Sequence, residues 1–246
     1  MKKENGFTLV EILVALFIGS LMMVAIYSVV NSAQRSSTGI ERKVLAQQDA
    51  RSALDLMAME IRMASYNPNS TTGNWLQTNC RDVSPNQNYL GIQEATATAI
   101  TVEMDMNENC TEPNDPVCMR PAGTDNPNET IRYNYDTNNR YITRSTNCGP
   151  PQPFLGADAA TTVVKTVNVI NNTAGIGNTA IPVFRYYNGA GAVLAAPVTS
   201  SIPAIRRVEI TLAVETEDVD PSTRTKKTLI YSTSVIVRNH IPSPTY

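Results

Sequence analysis

One stretch limits the fold of this chain more than any other: Ile12 to Val30, ILVALFIGSLMMVAIYSVV, is a run of 19 residues without a charge. A helix needs about 20 such residues to cross the hydrocarbon core of a bilayer, so the run predicts a single membrane span. Lys2 and Lys3 lie just before it. By the positive-inside rule the N-terminus stays cytoplasmic and the rest of the chain faces outward. A secretory signal peptide starts in a similar way, but this apolar run is longer than a usual signal core and no small-x-small cleavage site ends it.

The sequence also stays compatible with helix past the span. Asn31 to Ser65 contains no proline, and Ile40, Val44, Leu54, Met57, Ala58 and Ile61 recur at helical intervals with charges between them. The predicted rod therefore covers residues 7–66, with a span over 7–30 and an amphipathic continuation over 31–66. Its helical part, roughly 55 residues, is about 80 Å long at 1.5 Å per residue. Asn67-Pro68-Asn69 is expected to end it, because proline disfavours helix in the residue before it.

From residue 67 to 246 the texture changes to short β-rich runs separated by Asn, Gly, Pro and Asp. Thr98 to Met106, Thr130 to Asp136, Arg140 to Thr146, Thr162 to Ile170, Ile181 to Asn188, Arg206 to Thr216 and Lys227 to Asn239 read as strands. Thr137-Asn138-Asn139 predicts a hairpin, and Asp218 to Arg224 predicts a tight link that makes the last two long strands antiparallel. Asn107 to Asn128 and Gly189 to Pro203 read as surface loops. The fold class is α+β: one long N-terminal helix packed on an antiparallel β-sheet head.

Several function classes drop out on composition. With 20 basic and 22 acidic residues the net charge is −2, so there is no basic field for nucleic acid. The single histidine, His240, stands near the C-terminus, and no HExxH, P-loop or GxGxxG occurs, so no enzyme, cofactor or metal centre is expected. Glu103 and Asp105 alternate on a strand and read as solvated acids. The acids Glu217, Asp218 and Asp220, like Asp105, Glu108, Glu112 and Asp115, lack the spacing of a calcium loop and read as solvated loops.

All four cysteines, Cys80, Cys110, Cys118 and Cys148, follow the span and lack metal-ligand spacing. In an oxidising compartment they imply two structural disulfides stapling an insert over about residues 80–148. Three pairings are open. Cys110 with Cys118 closing the loop, and Cys80 with Cys148 at its base, is the preferred one.

Glu11 is the anomaly. A carboxylate at the head of a membrane span costs a few kcal/mol unless it is paired or kept at the interface, so an acid there points to function. Around it stand the lysines, a short polar leader, then Gly6, Phe7, Thr8, Leu9, Val10 and Glu11. This K…G-F-T-L-x-E pattern opening a membrane-length helix resembles the type IV prepilin family, which includes the pseudopilins of type II secretion.

The resemblance implies a leader over residues 1–6, cleaved between Gly6 and Phe7 by a membrane aspartic peptidase that then methylates the new amine of Phe7. It further implies that Glu11 pairs with that amine on a neighbouring subunit. Two opposite buried charges then set register more than they add stability. Localisation follows as the inner membrane with a periplasmic head, then the extracellular filament.

Gln47 to Tyr66, the segment IRYNYDTNNRYITR and the C-terminal IRRVEITLAVE with TLIYSTSVIVRN further resemble PilW-type minor pilins and the related J-type minor pseudopilin. Major pilins commonly carry a proline in the apolar segment and a C-terminal disulfide loop, and this chain has neither a proline before Pro68 nor a cysteine after Cys148. The implied role is that of a minor pilin that primes assembly and sits at or near the filament tip. Its implied partners are the prepilin peptidase, other minor pilins, the major pilin and the inner-membrane assembly platform. A minor pseudopilin of type II secretion is the alternative. A tip adhesin is a third reading, with the Asn107 to Asn128 loop and Tyr133 and Tyr135 as its contact surface, although packing across the sheet is the preferred reading of those tyrosines.

Overall fold

The computed structural model describes residues 7–66, 91–104, 130–147, 149–156, 166–172 and 179–240. Helix α1 runs over Leu9–Arg62, 54 residues without a break. Its first half is exposed along its whole length, from Phe7 at 85% to Val30 at 47%. Its second half carries the head. The buried positions Gly39, Ala46, Ala50, Ala53, Leu54, Met57, Ala58, Glu60 and Ile61 recur at three, four and seven residues, one face of a helix.

That face keeps the expected Leu54, Met57, Ala58 and Ile61 but leaves out Ile40 and Val44. Ile40 and Val44 are 62% and 42% exposed, whereas the alanines beside them are fully or almost fully covered. Small side chains let a sheet approach the helix backbone closely, so Gly39, Ala46, Ala50 and Ala53 carry the first part of the contact, and Leu54, Met57, Ala58 and Ile61 continue it toward the end of the helix.

The helix also ends earlier than Asn67. Met63 caps it, and Ser65 takes a left-handed φ of 63°. The Ser65 amide then donates to the Glu103 carbonyl at 2.8 Å. Gly91, at φ 85°, lies so close that a Cβ there would fall 1.6 Å from Ser65 Oγ. A tertiary bond to the sheet therefore stops the helix before the Asn-Pro signal is reached.

Two antiparallel sheets make the head, where the sequence suggested one. The first is a meander of β1 (Ile92–Ala95), β2 (Ala99–Glu103), β3 (Thr130–Asp136), β4 (Tyr141–Thr146) and β5 (Gln152–Leu155), paired in that order. The second has the order β10 (Thr228–Ile236), β9 (Arg207–Thr216), β7 (Phe184–Tyr187) and β8 (Val193–Leu194), with β6 (Val167–Val169) also on β9. Strands β3, β4, β9 and β10 fall where their patterns place them. Strands β1, β5 and β8 were not legible, being two to four residues long with no alternation of their own. β8 and the start of a 3-10 turn, Ile202–Ala204, lie in the segment Gly189 to Pro203 expected to be loop.

Hairpin β9–β10 pairs without a bulge from Arg207–Ile236 to Glu215–Thr228. Both strands lie on α1, with Val208, Ile210, Leu212 and Val214 turned to the core. The β3–β4 turn closes on Asp136, whose Oδ1 accepts from the amides of Asn138 and Asn139 at 2.9 Å each.

On the other flank of β9, β7 covers residues 207–210 and β6 covers 214–216. Asn171 fills the gap between them. Its Oδ1 accepts from the Ala213 amide at 2.9 Å, and its Nδ2 donates to the carbonyls of Thr211 at 2.8 Å and Ile181 at 3.2 Å. The side chain, 2% exposed, thus replaces a missing strand residue. Removing it leaves buried amide and carbonyl groups unpaired, each costing about 1–3 kcal/mol. Asn171→Leu is expected to lower the stability of the detergent-solubilised chain by about 3 kcal/mol in a denaturant titration; a loss under about 1 kcal/mol would contradict this role.

Candidate functional site

The start of α1 assembles the residues the N-terminal pattern singled out. Thr8 is the N-cap, in extended conformation at φ −78° and ψ 151°. Its amide and its hydroxyl both donate to Glu11 Oε2 at 2.9 Å, while the Glu11 amide donates to Thr8 Oγ1 at 3.3 Å. This reciprocal capping box satisfies two of the amides that a helix start leaves without partners. The negative carboxylate also sits at the positive end of the helix dipole.

Three consequences follow for Glu11. Its side chain folds back toward the N-terminus and does not extend along the apolar run. One oxygen, Oε2, holds the cap, and Oε1 takes no hydrogen bond from the described residues. Phe7 precedes the cap, outside the helix, with its backbone nitrogen one residue from the carboxylate's partner. Gly6 lies outside the described residues, as do Cys80, Cys110, Cys118 and Cys148, so the expected disulfides concern segments the structure does not describe.

Below the cap, Phe7, Glu11, Ile12, Ala15, Leu16, Gly19, Ser20 and Met23 line one shallow apolar groove. Steps of four residues place Phe7, Glu11, Ala15 and Gly19 in a row, and nothing lies within 4 Å of a Cβ built on Gly19. Ser20 returns its hydroxyl to the Phe17 carbonyl at 2.8 Å, so the groove presents no free hydroxyl there. Small residues in such a row let a second helix approach closely. The role of Thr8 was the part of this site not read from sequence, although T-x-x-E before an apolar run is itself a capping signal.

In the head Tyr133 and Tyr135 are 0% and 4% exposed, so they pack inside it as the preferred reading had them and offer no contact surface for an adhesin. Tyr133 packs edge-on against Phe154 at 5.0 Å and donates its hydroxyl to Glu60. Arg144 reaches the same carboxylate through Nη2 at 2.6 Å and Nε at 3.1 Å. Burial, reinforced by the Glu60 charge, pushes the Tyr133 phenol well above its ordinary range. Tyr135 is pushed up to about 12, again by burial.

Glu103 is not solvated but 2% exposed, its carboxylate accepting from Gln93 Nε2 at 2.7 Å. Asp105, Glu108, Glu112 and Asp115 fall outside the described residues. The other acidic group is engaged locally: Glu217 accepts from Asn168, Asp218 pairs with Arg42 at 3.4 Å, and Asp220 binds the Ser222 amide at 2.7 Å and Lys227 at 3.4 Å. His240, distant in sequence, meets Ser65 Oγ through Nδ1 and the Ile202 carbonyl through Nε2, both at 2.9 Å. It joins the end of α1 to the 3-10 turn.

With this geometry in view, residues 1–27 match the family model described as the prokaryotic N-terminal methylation motif. The chain therefore carries a type IV prepilin-like N-terminus, joined to an α+β head of pilin-like architecture. No curated protein and no solved structure matches the chain.

Two outcomes test the site. Thr8→Val removes the hydroxyl that Glu11 uses, and caps of this kind contribute about 1 kcal/mol. Amide exchange at residues 9–11 in detergent micelles is expected to quicken by about fivefold, with the head unchanged; unchanged exchange would mean the cap is not formed. Burial raises Glu103 to about 8 from an ordinary 4.5. The folded state then keeps a proton that the unfolded chain gives up, so stability is full below the ordinary value and falls as pH rises through the window toward 8. The slope approaches about 1.4 kcal/mol per pH unit. Thermal unfolding of Glu103→Gln at pH 5 and pH 8 is expected to show a weaker loss across that range than the unmodified chain.

Proposed function

We propose that the chain is a minor pilin, processed between Gly6 and Phe7, methylated on Phe7 and incorporated into a type IV pilus at or near its tip. The observation that supports this best is the pairing of a prepilin-like N-terminus with a helix whose first half has no covering from the described head. Such a half-helix needs an apolar environment. The bilayer supplies it before assembly and the packed helices of a filament supply it afterwards.

Cleavage would create an ammonium on Phe7 one residue from the Thr8–Glu11 cap. In an apolar surrounding that charge requires a carboxylate partner. Glu11, held at the helix start with Oε1 unengaged, suits the amine of an adjacent subunit. The groove of Ala15, Gly19 and Ser20 then lets the helices approach. Prepilin peptidase, other minor pilins, the major pilin and the inner-membrane assembly platform are the partners this reading requires. Cys80 to Cys148 brackets β1–β4, which belong to the core of the head and not to an insert, and two disulfides would staple the segments around those strands.

The test is mass spectrometry of filaments sheared from cells. The expected species is a methylated peptide beginning at Phe7, present far below the level of the major subunit. Glu11→Leu is expected to be cleaved normally yet lost from filaments, whereas Gly6→Leu is expected to keep its leader. An intact Met1 peptide found only in membranes, or Glu11→Leu incorporated at the unmodified level, would overturn the proposal.

A further inference from the structure

The β9–β10 hairpin fixes how far the head stands from the end of the apolar segment. At its open end, His240 meets Ser65 at the C-terminus of α1. At its turn, Asp220 packs against Gly39, where a Cβ would lie 3.0 Å from Asp220 Oδ1. Arg42 clasps the same turn, donating to the Val219 carbonyl at 2.9 Å and pairing with Asp218 at 3.4 Å. The hairpin thus runs back along the helix, and its turn is the part of the described head nearest the span.

Gly39 follows Val30 by nine helical residues, a rise of about 14 Å. The polar headgroup layer is about 5–7 Å deep on each face of a bilayer. Pro221, Ser222 and Thr223 form the tip beyond Asp220. On a span read as Ile12 to Val30 they therefore stand within about one Debye length, ~8 Å, of the lipid surface.

The chemistry at this level is that of a headgroup layer. Asn31, Ser32, Gln34, Ser36, Ser37 and Thr38 supply polar groups along the helix. Val219 is 51% exposed on the turn. Arg224 is held outward by a left-handed backbone at φ 55°, its amide donating to the Asp220 carbonyl at 2.8 Å. Among the described residues Arg224, Arg35 and Lys43 form no ion pair, whereas the nearby acids Asp218 and Asp220 are bound to Arg42 and Lys227. Glu41 and Glu217, the latter bonded to the neutral amide of Asn168, are two acids against the three cations Arg35, Lys43 and Arg224, so the balance at this level stays positive by one.

We propose that the tip of the β9–β10 hairpin, with Arg224 and Arg35, docks on the anionic headgroups of the outer leaflet while the subunit waits in the membrane. The clasp at Gly39 and Arg42 sets its height. The contact rests on the reading of α1 as a membrane span and is independent of cleavage or filament formation. It would hold the head at a fixed attitude over the bilayer. Moving the subunit into a filament would release it at small cost, since each basic residue at such a surface contributes weakly and is screened by salt.

The full chain in lipid nanodiscs of phosphatidylcholine, with or without phosphatidylglycerol, provides the test by amide exchange of residues 217–227. Exchange there is expected to slow by about fivefold in the anionic discs, the effect of about one basic residue at a charged surface. High salt is expected to abolish the difference, as is Arg224→Gln combined with Arg35→Gln, with exchange in β3–β4 unaltered. Equal rates in the two lipids would overturn the proposal. So would slowing that survives both salt and the double substitution, which would indicate a protein contact. Failure of the chain to enter the discs would remove the membrane reading itself, whereas a normal lipid contact in a chain absent from filaments would overturn only the assigned pilus role.

Discussion

One continuous helix has to satisfy two different surroundings, and the rest of the architecture follows from how it does so. From Leu9 to Val30 the helix is exposed and mostly apolar all round, with one row of small residues at Ala15 and Gly19. From Gly39 onward it buries one face, first glycine and alanine and then Leu54, Met57 and Ile61, against the head. The first arrangement suits a medium that surrounds the helix, the second a partner on one side. Because no proline or bulge interrupts Leu9–Arg62, the position of the head is mechanically tied to the apolar half.

The tie is made by close packing and by a few directed polar contacts. Ala46, Ala50 and Ala53 bring the β9–β10 hairpin against the helix, the Arg42 clasp fixes one end, and the Ser65–His240 contact fixes the other. Glu60 bonds to Tyr133 and Arg144, so the helix also grips the first sheet through a carboxylate. Such a network is costly when half satisfied and specific when complete. It orients the two sheets in a way that apolar contact alone would leave loose. Asn171 plays the equivalent part inside the second sheet, supplying hydrogen bonds where neither β6 nor β7 reaches β9.

The same carboxylate chemistry has three outcomes in this chain, and the surroundings decide among them. Glu11 is exposed and caps a helix; Glu60 is covered and holds a guanidinium and a phenol; Glu103 is covered with only an amide donor and is driven toward its neutral form. None of the three could be distinguished by residue type. Glu103 shows it most clearly, since alternation with Asp105 on a strand suggested a solvated pair, while the return of Gly91 and Gln93 over the strand end encloses it.

What the sequence determined by itself was whatever depends on local pattern: an uncharged run of membrane length, the Gly6–Phe7–Glu11 signature, and long strands such as β3, β9 and β10 with their two hairpin turns. Those signals are short-range, because helix period, strand alternation and turn chemistry act over a few residues. The tertiary structure alone decided that Ile40 and Val44 leave the helix face that meets the head, the early stop at Ser65, the short strands β1, β5 and β8, and the partners of Tyr133, Glu60, Glu103 and His240. Each depends on groups tens of residues apart, and a residue's solvent, charge state and hydrogen-bond partner exist only once such segments have packed.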